Sequence, residues 1–309
     1  MSVEQWVEKH RPKKFNEYVW KDEKIKNKIL EYVNEGSVPH ILLAGTQGTG
    51  KSSLANVILH ELHIPRADIL WIPASRERKI EDIQNKIGNF VNTWAFGPSG
   101  IKYVILDELD SVSPAAQKML RTDMEVYSSN VRFIGTCNYI NKIIPAIRSR
   151  FQEFIFKAVD VTEFTVRLVE ILDKEEVQYD FDLLENFVES AYPDLRKCIN
   201  LLQQNTVNKK LQILGDSEKN QDYMLVMVDL FKKKKHLEAR KLIVTQAQPE
   251  EYPDIYRFLY RNLELFGDTI EKQEDALLII KDGLVNHTLV ADIEINLSAT
   301  LVLLSRLNR

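Results

Sequence analysis

The sequence predicts an α/β fold, a parallel sheet wrapped by helices, for residues 1–156, and helical structure from there to the end. Three observations carry that prediction. Five short apolar runs alternate with helical patterns up to residue 156, a glycine-rich octapeptide links the first run to a helix, and strand-like patterning fades after Phe156.

The five runs cover residues 41–44, 69–72, 103–106, 132–137 and 153–156. Between the second and third, Ile80, Ile83, Ile87, Phe90, Val91 and Trp94 form an apolar stripe at helical spacing. Another stripe, Ala116, Leu120, Met124 and Tyr127, follows a helix start at Ser113-Pro114. Beyond Phe156, residues 162–172, 183–191 and 194–204 read as three short helices, the last with Leu195, Cys198, Ile199 and Leu202 on one face. The polar stretch 215–220 reads as a linker, and from about Asp222 the pattern is helical, with breaks expected near Pro249, Pro253, Gly267 and Gly283. The run Lys232-Lys233-Lys234-Lys235 reads as a solvated helix end, with DNA contact as the alternative.

Composition narrows the class. A chain of 309 residues has room for two or three domains, and 44% hydrophobic with 28% charged residues is ordinary for a soluble globular protein. No stretch approaches the ~20 apolar residues of a membrane span. The polar, acidic start Met1-Ser2-Val3-Glu4-Gln5-Trp6 is unlike a signal peptide. Cys137 and Cys198 have no metal-ligand spacing and suggest no disulfide framework, so a reducing, cytoplasmic compartment is expected. With a net charge of −4, any DNA contact would need a local basic patch.

The octapeptide Gly45-Thr46-Gln47-Gly48-Thr49-Gly50-Lys51-Ser52 matches G-x-x-x-x-G-K-[ST] at every fixed position, between an apolar run and a helix that opens at Ser53. Its three glycines let the backbone wrap a phosphate with N–H groups, and the helix N-terminus adds partial positive charge. Lys51 can reach the β- and γ-phosphates, and the Ser52 hydroxyl can hold Mg²⁺. The implied ligands are ATP and Mg²⁺. The bland reading, a glycine-rich turn that binds nothing, does not account for the strand–loop–helix context.

The third apolar run ends in Asp107-Glu108-Leu109-Asp110, placing carboxylates at the C-terminal end of a strand. Asp107 can support Mg²⁺, directly or through water, and Glu108 can orient and deprotonate the attacking water. By itself this could be an acidic turn that starts a helix. The fourth run ends at Asn138, whose amide can hold the attacking water or sense the γ-phosphate, although asparagine also simply forms turns. Ile147-Arg148-Ser149-Arg150-Phe151 follows, with two arginines that are either surface charges or supply an arginine finger.

In this order the motifs resemble the AAA+ ATPases, a P-loop class, and among them the sliding-clamp loaders. Trp6-Val7-Glu8-Lys9-His10-Arg11-Pro12 is similar to the W-x-E-K-Y-R-P box of replication factor C small subunits, with His10 where tyrosine is usual, and Ser149-Arg150-Phe151 stands where that family carries Ser-Arg-Cys. The resemblance spans roughly residues 6–205. The segments 124–130 and 192–197 look most like the clamp-loader large subunit of T-even-type bacteriophages, which would make the compartment the host cytoplasm.

The resemblance implies an AAA+ nucleotide-binding domain over 1–156, a helical lid over 157–215 and a helical collar for oligomerisation over 216–309. It implies that Arg11, Pro12 and Val19 lie near the adenine, that Asn138 is sensor 1 and that Arg196 is sensor 2. Arg150 would complete a neighbouring subunit's site, although spacing alone leaves Arg148 open as the finger. Arg78 and Lys79 would touch DNA phosphates, with Lys118 and Arg121 as weaker candidates, and Lys79 would hold Glu108 inactive until DNA binds. Trp94 and Phe96 would face the clamp, the alternative being that both belong to the core. The implied partners are a sliding clamp, primer-template DNA through its backbone, further copies of this chain with a different small subunit in a pentamer, and a DNA polymerase indirectly, with no membrane. The function implied is that of an ATPase motor subunit whose bound ATP holds the clamp open and whose DNA-stimulated hydrolysis releases it. The competing readings are an AAA+ remodeller or helicase loader, against which the N-terminal box and Ser-Arg-Phe element argue, and a non-hydrolysing bracing subunit, against which Lys51, Asp107 and Glu108 argue.

Overall fold

Five parallel strands form one sheet: β1 (Ile41–Gly45), β2 (Ile69–Pro73), β3 (Lys102–Asp107), β4 (Val131–Cys137) and β5 (Gln152–Phe156), in the order β2-β3-β4-β1-β5. The computed structural model describes residues 4–20, 22–75, 80–157, 159–213 and 223–307. All five strands coincide, within a residue at either end, with the apolar runs of the sequence. Strands buried on both faces read as continuous apolar runs, and here successive residues enter opposite cores. Leu42, Ala44, Val104, Leu106 and Phe133 pack on one face, and Ile41, Leu43, Tyr103, Ile105 and Ile134 on the other.

The helices of this region are α1 (Trp6–Lys9), α2 (Glu23–Asn34), α3 (Lys51–Glu61), α4 (Ile80–Val91), α5 (Pro114–Val126), α6 (Pro145–Arg148) and α7 (Val161–Lys174). Ile83, Ile87 and Val91 of α4, with Ala116, Leu120 and Met124 of α5, cover the first face. Ile29 of α2 and Leu54, Ala55, Ile58 and Leu59 of α3 cover the second. Ser113 caps α5 by accepting from the Ala116 N–H at 3.3 Å, with Pro114 in the first turn, as the sequence predicts.

The chain divides into two compact units, Met1–Ile171 with Pro193–Ile199, and Leu172–Tyr192 with Asn200–Arg309. The remaining elements are α8 (Phe181–Ala191), α9 (Leu195–Gln204), β6 (Thr206–Val207), β7 (Lys210–Leu211), α10 (Tyr223–Lys232), α11 (His236–Gln246), α12 (Tyr252–Arg261), α13 (Ile270–His287) and α14 (Ile293–Leu307). The β6–β7 hairpin was not expected. Its turn residues, Asn208 and Lys209, have φ of 51° and 58°, the left-handed pair that a two-residue hairpin turn requires. The helices break before Pro253, as expected: α11 ends at Gln246, and Pro253 sits in the first turn of α12, where its missing N–H is not needed. The break expected near Gly283 is corrected. Gly283 lies inside α13 because Thr300 and Tyr256 close on it: a Cβ there would stand 2.3 Å from Thr300 Oγ1. The predicted linker at 215–220 lies outside the described residues. Within the second unit, Lys232 pairs with Glu185 and Glu189, Lys233 with Asp229 and Lys235 with Glu238, as at a solvated helix end. No helix among the described residues is long and apolar enough to cross a membrane.

Candidate nucleotide site

Strand order assembles the site. β4 lies between β1 and β3, so the loop after β1, the carboxylates ending β3 and the residue after β4 meet at one edge of the sheet. In an open α/β sheet that C-terminal edge is where ligands bind.

Lys51 opens α3 and is buried, with its ammonium donating to Gly45 O and Thr46 O at 2.8 Å each and to Asn138 Oδ1 at 2.9 Å. Ser52 Oγ donates to Asp107 Oδ1 at 2.7 Å. Gly50, with φ 81°, precedes α3 and provides no side-chain cap, which leaves the helix's first N–H groups for a ligand. Gly48 has φ 79°, and a Cβ there would lie 2.6 Å from Asp194 Oδ1, so only glycine fits.

A cleft at this edge is lined by fourteen of the proposed nucleotide and catalytic residues: Arg11, Pro12, Val19, Gln47, Gly48, Thr49, Gly50, Lys51, Ser52, Ser53, Asp107, Glu108, Asn138 and Arg196. Gly45 and Thr46 contribute instead the carbonyl oxygens that hold Lys51. Burial pulls the Lys51 ammonium below the usual lysine range, nearby Asp110 and Asp107 push it back up, and the Arg196 charge lowers it further. Two cations and an open helix N-terminus thus converge where a polyphosphate would lie. For a divalent cation, the Ser52 hydroxyl and the Asp107 carboxylate supply hard oxygen donors within hydrogen-bonding distance of each other, a set that fits Mg²⁺.

Several residues that line or support the cleft escape a reading of sequence. Tyr18 is buried, and its hydroxyl donates to Thr49 O at 3.3 Å, covering the loop. Arg167 is buried and donates to His10 O, bracing the N-terminal box. Asp110 accepts from the backbone N–H groups of Asn138 and Tyr139 at 3.1 and 3.0 Å, fixing the turn after β4. Thr136 bonds to Asp107 and to the Glu108 backbone. The Asp107-Glu108-Leu109-Asp110 run was the one available signal for Asp110. Nothing local marked the others. Burial pushes the Cys137 thiol up to about 12, so it stays protonated beside the cleft.

The other proposed residues among those described do not line the cleft. Arg148 grips Glu153 through two hydrogen bonds of 2.8 and 2.9 Å and holds that carboxyl below its usual range. Arg150 donates to Ala146 O at 2.6 Å and pairs with Glu125, which also lies 3.9 Å from Arg121. Lys118 is exposed on α5. Arg78 and Lys79 lie outside the described residues. Trp94 and Phe96 are 92% and 75% exposed, which removes the alternative that both belong to the core. Two buried charged residues fix their loop. Lys102 donates to Phe90 O at 2.7 Å and bonds to Thr93 Oγ1 at the end of α4, and Asp68 accepts from the loop backbone.

Fold and cleft together define the class, an AAA+ ATP hydrolase. Residues 41–159 match the family model for the ATPase family associated with various cellular activities (AAA). The chain is 34% identical to the replication factor C small subunit of Sulfurisphaera tokodaii, over 99% of this chain and 97% of that one. It is likewise 34% identical to the replication factor C small subunit of Saccharolobus solfataricus, over 96% and 92% of the two chains. The chain belongs to the replication factor C small subunit family. The fold is also shared with the Thermotoga maritima RuvB Holliday junction branch migration motor, with a TM-score of 0.55 and 20% identity over 76% of this chain and 79% of that one.

Proposed function

We propose that this chain is a motor subunit of a sliding-clamp loader: bound ATP holds a clamp open, and hydrolysis stimulated by primer-template DNA releases the clamp closed on that DNA. The observation that carries the reading is the convergence of Lys51, Ser52, Asp107, Glu108 and Asn138 in one cleft, in a chain that aligns from end to end with replication factor C small subunits. The intact site speaks against a bracing role. The full-length likeness speaks against a general remodeller.

The proposed chemistry follows from position. Lys51 and the N–H groups at the start of α3 neutralise the β- and γ-phosphates. Mg²⁺, held by Ser52 and Asp107, supplies charge neutralisation to the same oxygens. Glu108 orients the attacking water and takes its proton, with the Asn138 amide steadying the water from the other side. Arg11, Pro12 and Val19 form the base side of the cleft, and Arg196 approaches from the lid. Arg150 is absent from its own chain's cleft, which supports a role in trans. Arg148, bonded to Glu153, is the alternative finger. The reading includes the division into nucleotide-binding domain, lid and collar, a cytoplasmic location, and a pentamer in which a different small subunit joins copies of this chain. Trp94 and Phe96 are assigned to the clamp. Arg78, Lys79, Lys118 and Arg121 are assigned to the DNA backbone, with Lys79 restraining Glu108 until DNA binds. The segments 124–130 and 192–197 favour the T-even phage branch within the family.

The test is ATP turnover with clamp and primer-template DNA added singly and together. Synergy of the two that Glu108→Gln and Arg150→Ala each abolish is the expected result. Turnover indifferent to the clamp would move the assignment to a remodeller, and turnover unaffected by Glu108→Gln would remove Glu108 as the base.

A further inference from the structure

The β3–β4 register pairs Leu106 with Gly135, so the next residues, Asp107 and Thr136, stand side by side at the edge of the sheet. Thr136 is 2% exposed. Its hydroxyl donates to Asp107 Oδ1 at 2.5 Å and accepts from the Glu108 backbone N–H at 3.0 Å. One oxygen therefore joins the two acidic residues of the site. The Glu108 backbone is left-handed, with φ 59° and ψ 47°, a conformation that disfavours a side chain with a Cβ. Such a conformation persists only where its surroundings over-determine it. Here the Glu108 N–H is held by Thr136, and the Glu108 carbonyl accepts from the Ser111 N–H at 2.9 Å. The turn directs an exposed Glu108 side chain into the cleft while Asp107 stays level with Ser52.

We propose that Thr136 is a positioning residue for hydrolysis: its hydroxyl sets the turn that aims Glu108 and orients the Asp107 carboxylate. It acts through those two side chains, and the inference rests on the reading of Glu108 as the base. Valine at 136 keeps the β-branched shape that the strand favours and removes only the hydrogen-bonding oxygen, whereas serine keeps the oxygen.

The test compares wild type, Thr136→Val and Thr136→Ser in the assembled protein with clamp and primer-template DNA, reading kcat, KM for ATP, nucleotide Kd and Tm. The expected result is a kcat reduced about 10–100-fold in the valine variant, the range for a misplaced general base, with KM and Kd within about threefold and kcat restored by serine. A valine kcat within about threefold of wild type overturns the proposal, as does a serine variant no better than valine. So does a loss of nucleotide affinity as large as the loss of kcat. Glu108→Gln tests the base reading separately, since it falls if that variant hydrolyses ATP at the wild-type rate. If Glu108→Gln is impaired, Thr136→Val should lower its residual single-turnover rate by less than it lowers the wild-type rate, because only the bond to Asp107 is then left to lose, and a full additional loss would overturn the positioning of Glu108 by Thr136 while leaving the base in place.

Discussion

Asp68 accepts from the backbone N–H of Phe96 through both carboxylate oxygens, at 3.0 and 2.9 Å, and from the Gly97 N–H at 2.7 Å. The carboxylate is fully buried, and a Cβ at Gly97 would crowd it at 3.3 Å. A buried charge satisfied by backbone donors is rigid, so the loop presents Trp94 and Phe96 to solvent in a fixed arrangement.

Presentation and contact should therefore separate by mutation. Asp68→Ala strips two partly buried N–H groups of their acceptor and should destabilise the protein by about 1–3 kcal/mol. Phe96→Ala removes exposed surface and should change stability by less than about 0.5 kcal/mol while weakening clamp binding at least tenfold. Chemical denaturation and a clamp-binding titration measure both, and normal clamp binding by Phe96→Ala would dismiss Phe96 as an anchor.

Asn138 is one of three acceptors of the Lys51 ammonium. Asn138→Ala leaves the two carbonyls in place, so nucleotide affinity should change little. The proposed water-steadying amide is lost, and kcat should fall about 10–100-fold. Equilibrium nucleotide binding and steady-state turnover check the split, and an equal fall in affinity would recast Asn138 as a binding residue.

Arg148, the last residue of α6, and Arg150, just beyond it, give opposite expectations. Arg150→Ala should lower turnover at least about 100-fold, the scale of a missing arginine finger. Arg148→Ala loses a half-exposed pair with Glu153 and should cost about 1 kcal/mol or less of stability, with turnover within about threefold. Mixing Arg150→Ala with Glu108→Gln subunits should restore part of the activity, because some interfaces then join an intact Glu108 to an intact Arg150. No recovery on mixing would argue for a finger acting within one chain.

What the sequence revealed and what it hid follow from the range of the forces involved. Parallel strands buried on both faces must be apolar throughout, so 41–44 and 103–106 were visible as runs. The phosphate loop was visible because backbone wrapping fixes glycine and lysine at short spacings. Thr136 was hidden because a β-branched residue in an apolar run looks like strand filler until its neighbour across the sheet is known. Gly283 looked like a helix break, since its reason for being glycine is Thr300, on another helix. Spacing could not rank Arg148 against Arg150, and within one chain each is paired, the first with Glu153 and the second with Glu125. The β6–β7 turn carries a lysine at a left-handed position, where glycine would have announced a hairpin.

Gly283 supports an expectation on stability alone. Gly283→Ala normally favours a helix by about 1 kcal/mol, but here the new methyl would stand 2.3 Å from Thr300 Oγ1 and 2.9 Å from Tyr256 Cε1. Overpacking should win, with a net loss of about 1–3 kcal/mol. Thermal denaturation measures it, and a stabilised Gly283→Ala would mean that α13 and α14 yield at this crossing.

His40 gives the pH dependence. Its Nδ1 accepts from the Phe133 N–H at 3.1 Å, and its ring lies beside those of Phe133 and Phe151 at 5.5 and 6.4 Å. Burial, helped by the Arg132 charge, lowers its pKa from 6.5 to about 4. Between those values the unfolded chain binds a proton that the folded chain refuses, so the contribution of His40 is complete above pH 6.5 and is lost as pH falls toward 4. His40→Gln keeps an acceptor for the Phe133 N–H and removes the titration. Carboxylates elsewhere also titrate in acid, so the informative quantity is the stability difference between wild type and His40→Gln at each pH. That difference should be flat from pH 8 to 7 and then shift against wild type by up to about 2 kcal/mol near pH 4.5, after allowance for the ring's partial exposure. A difference unchanged down to pH 5 would mean that His40 titrates alike in the folded and unfolded chain, and that its bond to Phe133 does not hold the ring neutral.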